Sequence, residues 1–146
     1  MGEKMKEESI KLLNLIYQNS QMGVLNIETV LKKIKDEKIA KLVKSQQLEY
    51  DKISKMAINL LAKYDQEPKN ISKMKELSSK VMGEAMTMNA DDKKIVKLMM
   101  RGNERGLIEI QENINSYDKS ESEILNLAQK LLATEEHNRE EFKKYL

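Results

Sequence analysis

The sequence predicts an all-α protein: a four-helix bundle of two antiparallel hairpins, joined by an extra crossover helix. Three observations carry this. Charged residues make up 34% of the chain, aromatics only 4%, and there is a single proline, Pro68, a composition of long helices and not of strands. Apolar residues recur at three- and four-residue steps through four long segments, the helical period. The third observation is an internal echo. Ser20–Ile27 lines up with Asn103–Ile110, pairing Gly23 with Gly106, and Leu42, Val43, Gln46 and Ile53 line up with Leu131, Leu132, Glu135 and Phe142. One domain is expected over 1–146, with hairpins at 6–64 and 91–145 and the crossover at 69–88.

The first helix is predicted from Lys6 to Lys35, with a stripe of Leu13, Ile16, Ser20, Val24, Ile27, Leu31 and Ile34. Asp36 is a good N-cap for the next helix, so the turn is tight and the neighbours antiparallel. The second runs from Glu37 to Tyr64 with Ile39, Leu42, Val43, Gln46, Tyr50, Ile53, Ala57, Leu60 and Leu61 in line. Pro68 is expected to stop it and to open the next helix.

The crossover, Lys69 to Met88, carries Ile71, Met74, Leu77, Val81, Met82 and Ala85. Met74, Met82, Met86 and Met88 here, and Met99 and Met100 beyond, suit gap-filling in the core more than a partner-binding surface. Asn89–Asp92 supplies a cap and early acidic residues for the fourth helix, Asp91 to Tyr117. Its stripe is Ile95, Val96, Met99, Asn103, Gly106, Leu107, Ile110 and Ile114. Gly102 and Gly106 each cost roughly 1 kcal/mol inside a helix, so a close neighbour is expected at both. Ser120-Glu121-Ser122-Glu123 reads as a capping box for the fifth helix, which runs to Tyr145.

The formal net charge is +2 and the charges are interspersed, so no nucleic-acid partner is expected. Without cysteine there are no disulfides, thiolate nucleophiles or cysteine zinc sites, which suits a cytoplasmic protein. The N-terminal residues lack an apolar signal core, and no apolar run approaches the ~20 residues of a membrane span.

Two hairpins with a long crossover is the connectivity of the ferritin-like bundle. The chain resembles that superfamily over essentially its full length. It is most similar to small, functionally unassigned bacterial members with a Gln18-Asn19-Ser20-Gln21-Met22-Gly23 type of first helix and a Glu135-Glu136 last helix. The resemblance implies inward-pointing glutamates on two helices and Glu-x-x-His on the other two, holding two metal ions. The corresponding slots here read Ser20, Asn103, Gln46-x-x-Glu49 and Glu135-x-x-Asn138. None contains histidine, and Glu135 is the one carboxylate near the middle of a stripe. His137 follows Glu135 by two residues, which rotates it about 200° toward solvent.

A di-iron site needs several converging anionic and imidazole ligands. Ser20, Gln46, Asn103 and Glu135 offer one charge. They read instead as a hydrogen-bonded core layer with Tyr50 and Asn138, and with Arg139 as counter-charge to Glu135. No cofactor is expected on this reading, and the function expected is interaction or assembly, with a homodimer or a protein partner. The competing reading is a divergent iron- or manganese-binding or redox member using Glu135 and Glu49, with Glu28 and Glu104 as further flanking carboxylates. No phosphate-cradling loop and no nucleophile with a base is present, so no catalytic residue is assigned.

Overall fold

The computed structural model describes residues 2–86, 90–118 and 121–146. Among them it is helical, without strands, in the order α1 (Gly2–Leu31), α2 (Glu37–Ala62), α3 (Ser72–Met86), α4 (Asp92–Ser116) and α5 (Ser122–Lys143). The helix directions follow from bonds at the two ends. At one end the Asp92 carboxylate accepts from Lys35 N and Asp36 N, at 2.9 and 2.7 Å, so α4 starts beside the α1–α2 turn. At the other end Ser9 bonds Tyr117 (2.7 Å) and Lys63 pairs with Glu123 (3.1 Å). Hence α1 and α5 run one way, and α2 and α4 the other.

The connection from α2 to α4 must therefore travel back along the molecule. Lys69 N donates to Asn14 Oδ1 (2.9 Å) and Ser78 Oγ to Asn26 Oδ1 (2.7 Å), so this return path lies along α1. The core is the seam between the long helices: Leu13, Ile16, Ile27 and Val30 from α1, Val43, Ile53 and Leu61 from α2, Ile95, Val96 and Ile110 from α4, and Leu131 and Phe142 from α5 are fully buried.

Several helix ends differ from the sequence expectation, each for a visible reason. α1 stops at Leu31 and not at Lys35, because Asp92 and the Asp36 cap hold the intervening chain as a turn. α2 stops at Ala62, ahead of Tyr64. Asp65 takes a left-handed φ of 57°, its amide donates to Ala62 O and that of Gln66 to Leu61 O. This is a Schellman closure, so Asp65 and not Pro68 ends the helix. Pro68 lies in the connection, and α3 opens only at Ser72, whose amide donates to Asn70 Oδ1. The expected cap Ser120 and the expected end of α3, Met88, lie outside the described residues. Glu121 occupies the N-cap position of α5 and makes no side-chain cap bond. Asp91 caps α4 as expected, accepting from Lys94 N.

The expected apolar stripe of α3 is not all core. Met82 is buried, but Met74 and Leu77 are 40% and 64% exposed. α3 packs chiefly on α1, with Ser78 bonded to Asn26. Leu77 is turned about 100° from Ser78, whereas Met74 shares the Ser78 face one turn earlier and is exposed all the same. Core gap-filling therefore describes Met82 and Met99, and not Met74.

The two glycines of α4 also part company. A Cβ on Gly106 would sit 2.7 Å from Glu135 Oε2, whereas one on Gly102 would meet nothing within 4 Å. The close neighbour expected at Gly102 is absent. Gly102→Ala should then gain close to the full helix-propensity difference, about 1 kcal/mol. Urea denaturation checks this; a loss of stability would mean that the open side of Gly102 is covered.

Candidate functional site

The sequence gathers polar residues onto otherwise apolar helix faces at one level of the bundle. Ser20, Gln46, Tyr50, Asn103, Glu135 and Asn138 are each at most 4% exposed. Helical periodicity is what brings them in: Gln46 and Tyr50 are one turn apart on α2, as are Glu135 and Asn138 on α5.

Tyr50 lies at the centre. Asn103 Nδ2 donates to its hydroxyl oxygen at 3.2 Å. The Tyr50 hydroxyl and the Asn103 amide are the polar groups that face the Glu135 carboxylate, and Asn138 lies beside the same hydroxyl. Three helices thus meet around one acid. Burial pushes the Glu135 carboxyl up from 4.5 to about 7, against the opposing pull of its bonds from Tyr50 and Asn103. Burial also raises Tyr50 well above its ordinary value, and the charge of Glu135 adds to that. Tyr50 therefore stays a neutral donor while Glu135 titrates near neutrality.

Two glycines let these groups come so close. The Glu135 carboxylate rests on the backbone of Gly106, where a Cβ would also approach Asn19 Nδ2 at 2.9 Å. The Tyr50 ring rests on Gly23, where a Cβ would be 2.8 Å from two ring carbons. The glycine pair of the internal echo thus marks two close approaches of helix backbone to the layer.

The remaining expected residues fall elsewhere. Ser20 is buried, but its hydroxyl donates to Ile16 O of its own helix (2.7 Å) and crosses to no neighbour. Arg139 pairs with Glu104 at the surface and is not the counter-charge of Glu135. From its position on α5 its guanidinium reaches outward across α4, and the buried acid is served by uncharged donors. Glu49 faces out and pairs with Lys52 (3.2 Å), so it and Glu135 do not share a site. Glu28, Glu104 and His137 are exposed.

Asn19 was not among the expected layer residues. Its Nδ2 donates to Gly106 O (3.4 Å), tying α1 to α4 beside Glu135. Its place one residue before Ser20, within the Gln18–Gly23 segment, is the sequence signal for it. Ser9 and Ser54 are likewise buried and bonded across helices, to Tyr117 and to Gln21. Their short hydroxyl side chains give no periodic signal.

The donor set does not fit the pair of metal ions that the ferritin-like resemblance implies. Around the layer there is one carboxylate, two primary amides from asparagine, one from glutamine and a phenol. No group of three or more His, Cys, Asp or Glu side chains converges among the described residues. One carboxylate among neutral amides leaves most of the charge of two divalent cations uncompensated. What the arrangement does offer is a protonatable acid held by neutral partners. Two surface clefts of about 300 and 230 Å³ lie along α4, and none of the layer residues lines either. Among the described residues no helix is long and apolar enough to cross a membrane. No protein-family model, curated protein or solved structure matches this chain.

Proposed function

We propose that this chain is a ferritin-like helical bundle in which a neutral, hydrogen-bonded polar layer stands where that superfamily holds two metal ions. On this reading it is a non-catalytic protein of interaction or assembly. The observation that carries the reading is the donor set itself. Among the described residues Glu135 is the lone buried carboxylate, and it is met by a phenol and an amide instead of by further anions or imidazoles. The antiparallel hairpins and the return helix along α1 support the ferritin-like connectivity.

A buried layer of this kind specifies which faces meet and in what register, a role attested for core polar groups in helical assemblies. It leaves activity without a place. Glu49, the second carboxylate the metal-binding alternative needs, is engaged with Lys52 at the surface.

Expression with iron and manganese supplied, followed by elemental analysis and thermal unfolding with and without chelator, tests the layer. The expected result is a substoichiometric metal content and an unchanged midpoint after chelation. Stoichiometric metal that Glu135→Gln abolishes would overturn it. Sedimentation across a wide concentration range tests the second half of the reading. Self-association, or a specific partner retained by the immobilised protein, is expected. A monomer at every concentration that retains nothing would remove the interaction role.

A further inference from the structure

We infer that Gln46, Asn103 and Asn138 hold internal water between α2, α4 and α5. The inference rests on the polar-layer reading and adds a ligand to it. Its starting point is a set of buried atoms with no hydrogen-bond partner in the protein: Gln46 Nε2 and Oε1, Asn103 Oδ1 and Asn138 Nδ2. Leaving a buried polar group unpaired forfeits its bond to water without replacement, so such atoms in one layer call for a partner.

The four atoms belong to one region. Asn103 and Asn138 both lie at the Tyr50 hydroxyl. Gln46 is one turn before Tyr50 on α2, and Asn138 follows Glu135 on α5. Because α2 and α5 run in opposite directions, both step from the Tyr50–Glu135 contact toward the end that carries the α1–α2 turn. Gln46 and Asn138 therefore lie on the same side of that contact.

The chemistry of the orphans decides the ligand. Turning the Gln46 amide over helps nothing, because both of its atoms lack a partner. Asn103 differs: its Nδ2 donates to the Tyr50 hydroxyl, and its Oδ1 is the end without a partner. The set thus comprises two acceptors, Gln46 Oε1 and Asn103 Oδ1, and two donors, Gln46 Nε2 and Asn138 Nδ2. A cation would satisfy the oxygens and repel the N–H groups, and an anion would do the reverse. Water donates and accepts at once, and buried waters make about three such bonds. Proteins hold on the order of one buried water per 27 residues, so a water here is within ordinary hydration of a chain this size.

The test is made on the full-length ¹⁵N-labelled protein. Water oxygen-17 relaxation dispersion counts long-lived waters, and rotating-frame cross-peaks place them against side-chain amides. Cross-peaks from water to the Gln46 and Asn138 NH₂ groups are expected, together with loss of at least one long-lived water in Gln46→Met. Absence of both cross-peaks in the wild-type protein would overturn the inference, whether or not Gln46→Met folds. So would a dispersion amplitude that a folded Gln46→Met leaves unchanged. Titration with sodium, potassium and calcium chlorides covers the other ligand class. Saturable shifts of these amide resonances would show an ion in place of water, and would end the neutral-layer reading too. A dry, ion-free layer would overturn the water alone.

Discussion

Glu135→Gln is expected to stabilise the protein above neutral pH and to leave it nearly unchanged at pH 4. The reason is linkage. In the unfolded chain the Glu135 carboxyl titrates at 4.5, and in the fold burial moves it to about 7. Between those values the folded state binds a proton that the unfolded state has released, so stability falls as pH rises. The favourable contribution is complete below about pH 4.5 and gone once pH passes well above 7. The shift corresponds to about 3 kcal/mol across that window. Glutamine has the shape of the protonated acid and does not titrate. The difference between variant and wild type should therefore grow from near zero at pH 4 toward about 3 kcal/mol by pH 8.5. Other titrating groups are common to both proteins and cancel. Chemical denaturation at half-unit pH steps measures this directly. Parallel curves, or a wild type that gains on the variant as pH rises, would show that the layer holds Glu135 as an anion.

That result would also explain why a chain keeps an acid in its core. At neutral pH the Tyr50 and Asn103 bonds favour the charged form and burial favours the neutral one. Burial outweighs those bonds, so the carboxyl titrates at about 7 and both charge states are populated at neutral pH. A metal site resolves such a conflict with cations. Here the uncharged donors resolve it in part, and the guanidinium that the sequence offers, Arg139, is spent on Glu104 instead.

The burial of these polar residues was legible in the sequence because periodicity places residues. Gln46, Tyr50, Asn103, Glu135 and Asn138 recur in step with the apolar stripes, and the fold buries all of them. The all-helical class was legible for the same reason. What periodicity does not carry is the reach of a long side chain. Arg139 is one turn from Glu135 on α5, yet its head group settles on another helix at the surface. It also says little about a helix that packs on one neighbour only. The α3 stripe has the right spacing, but with α1 as its chief support Met74 and Leu77 stay out. Helix ends were least legible: Asp65 closes α2 through local bonds that no apolar period signals, and the reach of Asp92 to the α1–α2 turn is a tertiary contact. The glycines divide on the same ground. Gly106 lies on the α4 stripe and Gly102 beside it, and the close approach of Glu135 on α5 and Asn19 on α1 is made to Gly106 alone of the two.

Gly23→Val is expected to destabilise the protein by about 2–3 kcal/mol, the cost of overpacking a filled core. A Cβ at this position falls 2.8 Å from Tyr50 Cγ and Cδ2 and 3.0 Å from Cδ1, well inside van der Waals contact with a rigid ring. The ring has no retreat. Its hydroxyl end is held by Asn103, and the residue is 3% exposed within the seam. Relief must come from moving α1 away from α2, which opens the packing of Ile27, Val43 and Ile53 as well. Replacing a helical glycine returns a few tenths of a kcal/mol with valine, too little to offset this. For a chain of this size the midpoint of thermal unfolding should fall by roughly 5–10 °C. Gly102→Ala, with open space around it, should move the midpoint the other way. The sign difference between two glycines with the same intrinsic cost isolates the contact from the propensity. A double-mutant cycle then locates it: Gly23→Val should cost markedly less in a Tyr50→Leu background, because the smaller side chain leaves room for the new methyls. Equal costs in the two backgrounds would mean that the Tyr50 ring does not lie on Gly23, and the placement of Tyr50 at the centre of the layer would fall with it.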